Sequence, residues 1–530
     1  MTFHRWNNIF FGIFLVSVVF TAAQGIRYID IVVEPPFEYP ITYWGPYDYR
    51  WVYNLGNSFH VNSKPSTVNR FVPFEIGDTV GDDLACETAR RLRETQFFGE
   101  ATVEIIDTDS GRVAVIIVQD LWTTKLSPSM AYEGRVYEWA VEFEEVNLLG
   151  YGVGIRGGFR HDEDYDSWFS GLKLSKVLPF HSDLSVYYSD ATKSIGPTQT
   201  SLAISRDRRR DCDPLIWRFG GYVCGGEHTT WQDGHIQGAD YTIDDQSVYG
   251  GAKYIFGEKI GLGAGLSYSS LKREKMGGEF PDFPQEYHRE VGVLSAGLSY
   301  VERRYFTARD VDAFGITEDI PFGVSIGLEG GAGPEGMSPY GRFSGTFGFP
   351  IGPLFSAFSC HALKLSQTES YSASFRFFSD KFFWSRIAGR LFYGTISNES
   401  PESFYRVGGQ TCLRSYPTNM QVGNRTIFGN LEYRLFTPYE FFSIRVGACA
   451  FVDFGTAWDA SRETYHLRDL GDKIVGDYGI ELRFGSTSST TGQVFRASIA
   501  RTFDNLWEFE LSSGQLFNSY LNLDHRVPLP

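Results

Sequence analysis

Two side chains have types and a spacing that suggest one specific interaction: Arg414, in the run Gly408 to Tyr416 (GGQTCLRSY), and Asp453, in Phe451 to Gly455 (FVDFG). A planar guanidinium fits a carboxylate through charge-assisted, two-pronged hydrogen bonds, and such a pair fixes a chain segment in place rather than carrying out a reaction. The alternation around Asp453 shows where its carboxylate points. The even positions Phe442, Ile444, Val446, Ala448, Ala450, Val452 and Phe454 are apolar, while the odd ones include Ser443, Arg445, Gly447 and Cys449. A two-residue period held this long is the pattern of a strand with one face in lipid and the other toward a wet interior. Asp453 lies on the interior face.

The preceding segment repeats the pattern, with Ile427, Leu431, Tyr433 and Leu435 on one face and Asn430, Glu432 and Arg434 on the other. Thr437-Pro438-Tyr439 is the expected short turn between the two strands. The longer connection holding Arg414 then opens at the opposite end of the barrel and reaches Asp453 only by folding into the lumen. A simple hairpin register around Pro438 sets Glu432 opposite Arg445, about 25 Å from Asp453 at about 3.3 Å per residue. Asp453 is therefore the expected partner of Arg414 and Glu432 a secondary one.

The elements that must hold this pair are read from the whole chain. Its 530 residues carry 57 Gly, 5 Met, 16% aromatic residues and a net charge of -16, which suits a large antiparallel β protein and argues against nucleic acid as a partner. A mean hydropathy of -0.21 fits a barrel, because half of each strand faces water. Residues 1–25 have the grammar of a secretory signal: basic His4 and Arg5, an apolar core from Ile9 to Phe20, and small residues near Ala23. The six cysteines lack metal-binding spacing, and Cys212 with Cys224 is the one close pair, for which a bridge and two separate thiols both stand.

Along the chain, residues 26–50 form an extended Pro- and Tyr-rich segment. Residues 51–122 then read as β-α-α-β-β: a strand from Asn54 to Val61, helices from Lys64 to Phe74 and from Gly81 to Phe98, and strands from Ala101 to Asp107 and from Arg112 to Asp120. From residue 126 to 517, alternating segments rich in Gly and aromatics recur at roughly 25 residues per strand, which predicts about 16 antiparallel transmembrane strands. A tail, 518–530, follows. The fold class is thus mostly β, a small mixed domain before a barrel. Motifs that mimic catalytic sites fall inside strands: Gly152 to Gly157 fits GxGxxG without a following helix, and Ser325 sits in GVSIG without a strand-to-helix turn. The acidic run from Asp162 to Asp166 lacks the glycine and glutamate of a calcium loop, and the ten His show no ligand pair. No metal, cofactor or enzymatic chemistry is expected.

The LRSY and FVDFG pair resembles the outer-membrane barrel-assembly superfamily that includes BamA, TamA and the two-partner-secretion transporters. There a loop motif (V/L)RG(F/Y) enters the lumen, and its Arg meets the Asp of an FxDxG strand; here Ser415 replaces the usual Gly. The resemblance implies a lumenal lock of Arg414, Asp453, Glu432, Tyr416 and Gly455. Residues 51–122, with FEIGD, RRLRETQFFGEATVEI and VAVIIVQDLWTT, resemble a single POTRA domain. That implies a periplasmic edge strand, Ala101, Val103, Ile105 and Asp107, which takes up client polypeptides by strand pairing. It also implies a weak barrel seam between Glu138 to Phe143 and Trp507 to Phe517, with Gly514 weakening the last strand and Phe517 as its aromatic end. The implied function is insertion or export of unfolded polypeptide clients at a bacterial outer membrane, in contact with its lipid and with possible periplasmic accessory proteins. A two-partner-secretion transporter for one dedicated protein and a passive porin-like barrel are the alternatives.

Overall fold

The computed structural model describes residues 25–523 except 38–49, 110, 134–135, 162–165, 192–196, 209–212, 233–234, 276–285, 334–338, 366–367, 398–404, 410–411, 417–419, 460–472 and 490–493. The expected signal segment up to residue 24, Cys212 and most of the acidic run lie outside the described residues. Cys224 is a free thiol.

The N-terminal domain comprises β1 (Ile26–Glu34), α1 (Arg50–Phe59), α2 (Pro65–Phe71), α3 (Asp82–Glu94), β2 (Phe98–Thr108) and β3 (Gly111–Asp120). Its sheet has the order β1-β3-β2, with β1 parallel and β2 antiparallel to β3. The first strand expected at Asn54 to Val61 is helical over most of its length, and the real first strand lies in the segment assigned as extended. Ile29, Ile31 and Val33 alternate with Asp30 and Glu34, a strand signal overshadowed by the Pro-rich run behind it. Helix α3 begins with Asp82 and Asp83 and ends with Arg91 and Arg93, charges that complement its dipole. Its Ala85, Ala89 and Leu92 pack with Ile26, Ala114, Ile116 and Val118 in one core.

Twenty strands follow, each antiparallel to its neighbours, and the last, Trp507–Ser513, closes the barrel on the first, β4 (Thr124–Glu133). The expected sixteen is corrected to twenty. The repeat is shorter than assumed because some hairpins turn in two residues, as between Ile351 and Leu354. The even number holds and leaves both barrel termini at one end. Large apolar side chains such as Leu266, Leu294, Leu298, Ile480 and Leu482 are more than half exposed on the outer wall, so the outer face needs an apolar surrounding. No described helix is long and apolar enough to cross a membrane.

The hairpin that carries the candidate site departs from expectation. Strand Arg425–Phe441 runs through Pro438, and the turn falls at Phe442-Ser443, where φ is 51° and 56°. Two left-handed residues make the tight turn that suits hairpin twist, without the usual Asn-Gly signal. The ladder shifts between Phe436 and Glu440, an interruption that accommodates a proline with no N–H to donate. Register therefore sets Glu432 opposite Phe451 and Asn430 opposite Asp453, while Arg445 pairs with Glu440. Glu432 and Asp453 are near neighbours on the inner face.

The N-terminal domain sits on the barrel end where both termini lie. Arg93 holds Asp319 with two contacts of 2.7 and 2.9 Å, Glu100 meets Arg309 at 2.6 Å, and Trp122 N–H donates to Ser488 O at 2.6 Å. From this domain end the connection 310–316 folds inward, placing Phe314 against Phe436 and Val494. From the far end, the connection between Ser385–Ser397 and Arg425–Phe441 folds in to meet it, including a short hairpin of Tyr405–Val407 with Gln421–Gly423.

Candidate functional site

The far-end connection tightens just before Arg414, where Gly408 and Gly409 have φ of 122° and 68° and Gly409 N–H donates to Tyr416 O at 2.7 Å. This loop is pinned to two wall strands, Arg425–Phe441 and Val475–Ser486. Cys412 O accepts from Asn430 Nδ2 at 2.7 Å, Ser415 N–H donates to Asp477 at 3.1 Å, and the Tyr416 hydroxyl donates to Gly476 O at 3.0 Å. Arg414 is thereby delivered, wholly buried, to the inner wall.

Its guanidinium meets three carboxylates. Nε lies 2.9 Å from Asp453 Oδ2, Nη1 3.3 Å from Glu481, and Nη2 against Glu432 Oε1 in the closest contact of the set. Asp453 is further held by Asn430 Nδ2 at 2.7 Å. The Phe451 ring lies beneath the guanidinium, 3.9 Å from centroid to Cζ, a cation–π contact that covers the face no carboxylate reaches. Gly455, opposite Phe428, permits a close approach of the two strands: a Cβ there would lie 2.7 Å from Phe428 Cβ.

The network extends beyond this pair. Glu432 also binds Arg434 at 2.6 Å and Arg483 at 3.0 Å; Glu481 binds Arg483 and, at 3.3 Å, Arg496. Arg434 reaches Asp312 of the domain-end connection at 2.6 Å. Four guanidiniums thus face four carboxylates in direct contact, so the buried charges compensate one another. Arg483, Glu481 and Asp477 were legible: Val475–Ser486 alternates Asp477, Gly479, Glu481, Arg483 with Tyr478, Ile480, Leu482, Phe484. Asp312 carried no such signal, because its place depends on how a connection folds inward.

The other expected residues fall as follows. Ala101, Val103, Ile105 and Asp107 lie on β2, a sheet edge, but Ala101 is buried and its carbonyl accepts from Arg93 at 3.3 Å, so the accessible edge starts beyond it. The seam is made by β4, not by Glu138 to Phe143, which belongs to the second barrel strand, Val136–Glu145; Glu138 pairs with Ala131. Trp507 opens the last strand, and that strand ends at Ser513. Phe517 is not its end but is buried inside the barrel. The seam itself has three residue pairs, Phe509 with Tyr132, Glu510 with Ala131 and Leu511 with Met130, whereas β4 makes ten with the strand on its other side. Among the described residues no cluster of His, Cys, Asp and Glu is placed to hold a metal. The arrangement positions a loop electrostatically and presents no nucleophile with an adjacent base.

No protein-family model matches the sequence, and no curated protein matches it. Among solved structures, BamA from Haemophilus ducreyi lacking POTRA domains 1-3 aligns at 14% identity and a TM-score of 0.38, covering 92% of this chain and 84% of that one. CdiB from Acinetobacter baumannii aligns at 11% identity and 0.44, covering 93% and 74%. CdiB from Escherichia coli aligns at 11% and 0.45, covering 93% and 77%. Solved barrels of the BamA and CdiB kind thus align with more than nine-tenths of this chain.

Proposed function

We propose that this protein is an outer-membrane barrel that inserts or exports polypeptides, with its N-terminal domain acting as a POTRA domain in the periplasm after removal of a signal peptide. The observation that carries this reading is the seam. Six residues of β4, from Thr124 to Ser129, have no partner on the last strand, while the same strand is fully paired on its other side. Backbone groups left open at a barrel closure are a template for an incoming strand, and pairing there needs no particular client sequence. The edge of β2 beyond Ala101 would receive clients first, and outer-membrane lipid would accept them. Substrate folding supplies the driving force; no cofactor or catalytic step is involved, and accessory proteins in the periplasm would be partners. The inward-folded connections and the charged network that ties them count against a passive porin.

The test is a reversible staple across the seam. Met130→Cys with Leu511→Cys joins directly opposed residues, whose Cβ atoms in such pairs lie about 4.5 to 5.5 Å apart, so a disulfide needs only a small adjustment. Oxidation should stop client assembly in cells and reductant should restore it. Unchanged client assembly with the staple closed would sink the seam mechanism.

A further inference from the structure

The ten residues after the last strand, Gly514 to Leu523, stay inside the barrel. Gly514, with φ of 89°, makes the left-handed turn that sends the chain inward. Guanidiniums from three different strands then take its main-chain carbonyls. Arg434 donates to Phe517 O at 3.4 Å, Arg376 to Asn518 O at 2.9 Å, and Arg303 to Leu523 O at 3.0 Å. Ser519 is held at both of its polar groups: its N–H donates to Asp312 at 2.8 Å, and its hydroxyl donates to the other Asp312 oxygen at 2.7 Å while accepting from Arg434 at 2.9 Å. Leu516 and Phe517 are buried in an apolar seat with Phe355, Phe378 and Ala388. Charged donors that read carbonyls, beside a pocket that reads an aromatic side chain, are the components of a peptide-binding site.

We propose that Gly514–Leu523 is the resident ligand of a lumenal peptide site at the domain end. An extended segment of the same chemistry, an aliphatic–aromatic pair with a hydroxyl side chain two residues on, displaces it. Only the identity of that segment as a client rests on the function proposed above. A ligand tethered by one turn acts at an effective concentration of about millimolar, so it excludes a free peptide at micromolar levels until it is released. Because Arg434 also holds Glu432, release of the tail and the seating of Arg414 share one side chain.

The test uses a fluorescent peptide with the sequence of residues 514–523, a scrambled control, the reconstituted full-length protein and a variant ending at Ser513. Anisotropy should show the peptide bound to the shortened barrel at micromolar concentration, with full-length protein binding it roughly a hundredfold more weakly because of the tether; the scrambled peptide should bind neither. No binding to a folded shortened barrel, equal binding to both proteins, or equal binding of the scrambled peptide would each overturn the site. If the shortened chain does not reach its heat-resistant folded form, full-length Phe517→Ala decides: stronger peptide capture than the parent supports the site, and unchanged capture refutes it. A seam staple without effect on assembly, with peptide capture intact, would remove the transport reading and leave this site standing.

Discussion

Two stretches of one wall differ sharply in how they are held. The strands Arg425–Phe441, Ile444–Trp458 and Val475–Ser486 are paired over most of their lengths, and their inner faces share a buried, charge-balanced network closed by Arg414. Two strands further on, Trp507–Ser513 meets β4 through three residue pairs. The difference teaches that this barrel concentrates rigidity beside its weakest joint. A lateral opening at the joint then need not spread into the wall, because the adjacent strands are tied to one another, to the far-end loop and to the domain-end connection.

The largest expected effect comes from removing the acid at the centre of the network. Glu432→Ala leaves Arg414, Arg434 and Arg483 each short of a partner, and uncompensated buried charge costs about 3 to 5 kcal/mol for a single broken pair. Urea titration of the reconstituted barrel should show a large fall in midpoint or no folded form at all. Arg414→Ala should cost more than Asp453→Asn, because Arg414 serves three carboxylates; equal costs, with a double variant no worse than either, would reduce the network to one pair.

Native-state hydrogen exchange measures the comparison directly. Amides of Val452 and Ile480 should open only with the whole wall, whereas those of Met130 and Leu511 should exchange on the order of a hundredfold faster, as expected for a locally opening joint. Equal protection would erase the contrast.

A smaller effect separates the packed part of the wall from looser parts. A methyl group on Gly485 would sit 2.1 Å from the Phe314 ring of the inward connection, whereas one on Gly330 meets nothing within 4 Å. Gly485→Ala should destabilise by about 1 to 3 kcal/mol and Gly330→Ala hardly at all, read from the same urea curves.

The smallest effect lies in the N-terminal domain. Burial alone would raise the Glu87 carboxyl, but Arg90 and Arg91 hold it down to about 2, from an ordinary 4.5. A depressed folded-state value stabilises α3 fully above pH 4.5, and that stability is lost as pH falls through about 2. Arg90 also stacks on Tyr305 of the barrel, 4.1 Å from the ring centroid, so α3 exchange protection should fall over that window. In Glu87→Gln this Glu87-dependent loss should be absent; an unchanged profile would assign the acid sensitivity elsewhere.

The sequence by itself determined the alternation, and with it the inward face of Asp453 and Glu432, as well as the mixed domain before the barrel. Side-chain period is a local property, so it survives without knowledge of partners. Strand number lies outside that period, because turn length is not encoded in it and two-residue turns such as Phe442-Ser443 carry no glycine signal. A turn placed at Pro438 sets Glu432 about 25 Å from Asp453, whereas the strand runs through that proline to Phe442-Ser443 and brings the two together, because the position of a turn is chosen by cross-strand pairing rather than by the strand alone. Only the tertiary structure decided that Arg414 meets three acids from three strands, that Asp312 and Ser519 share Arg434, and that Phe517 turns inward instead of ending a strand. These groups come together from segments up to about two hundred residues apart and are fixed by burial: a charged or hydrogen-bonding group taken out of water must find its complement wherever the fold provides it.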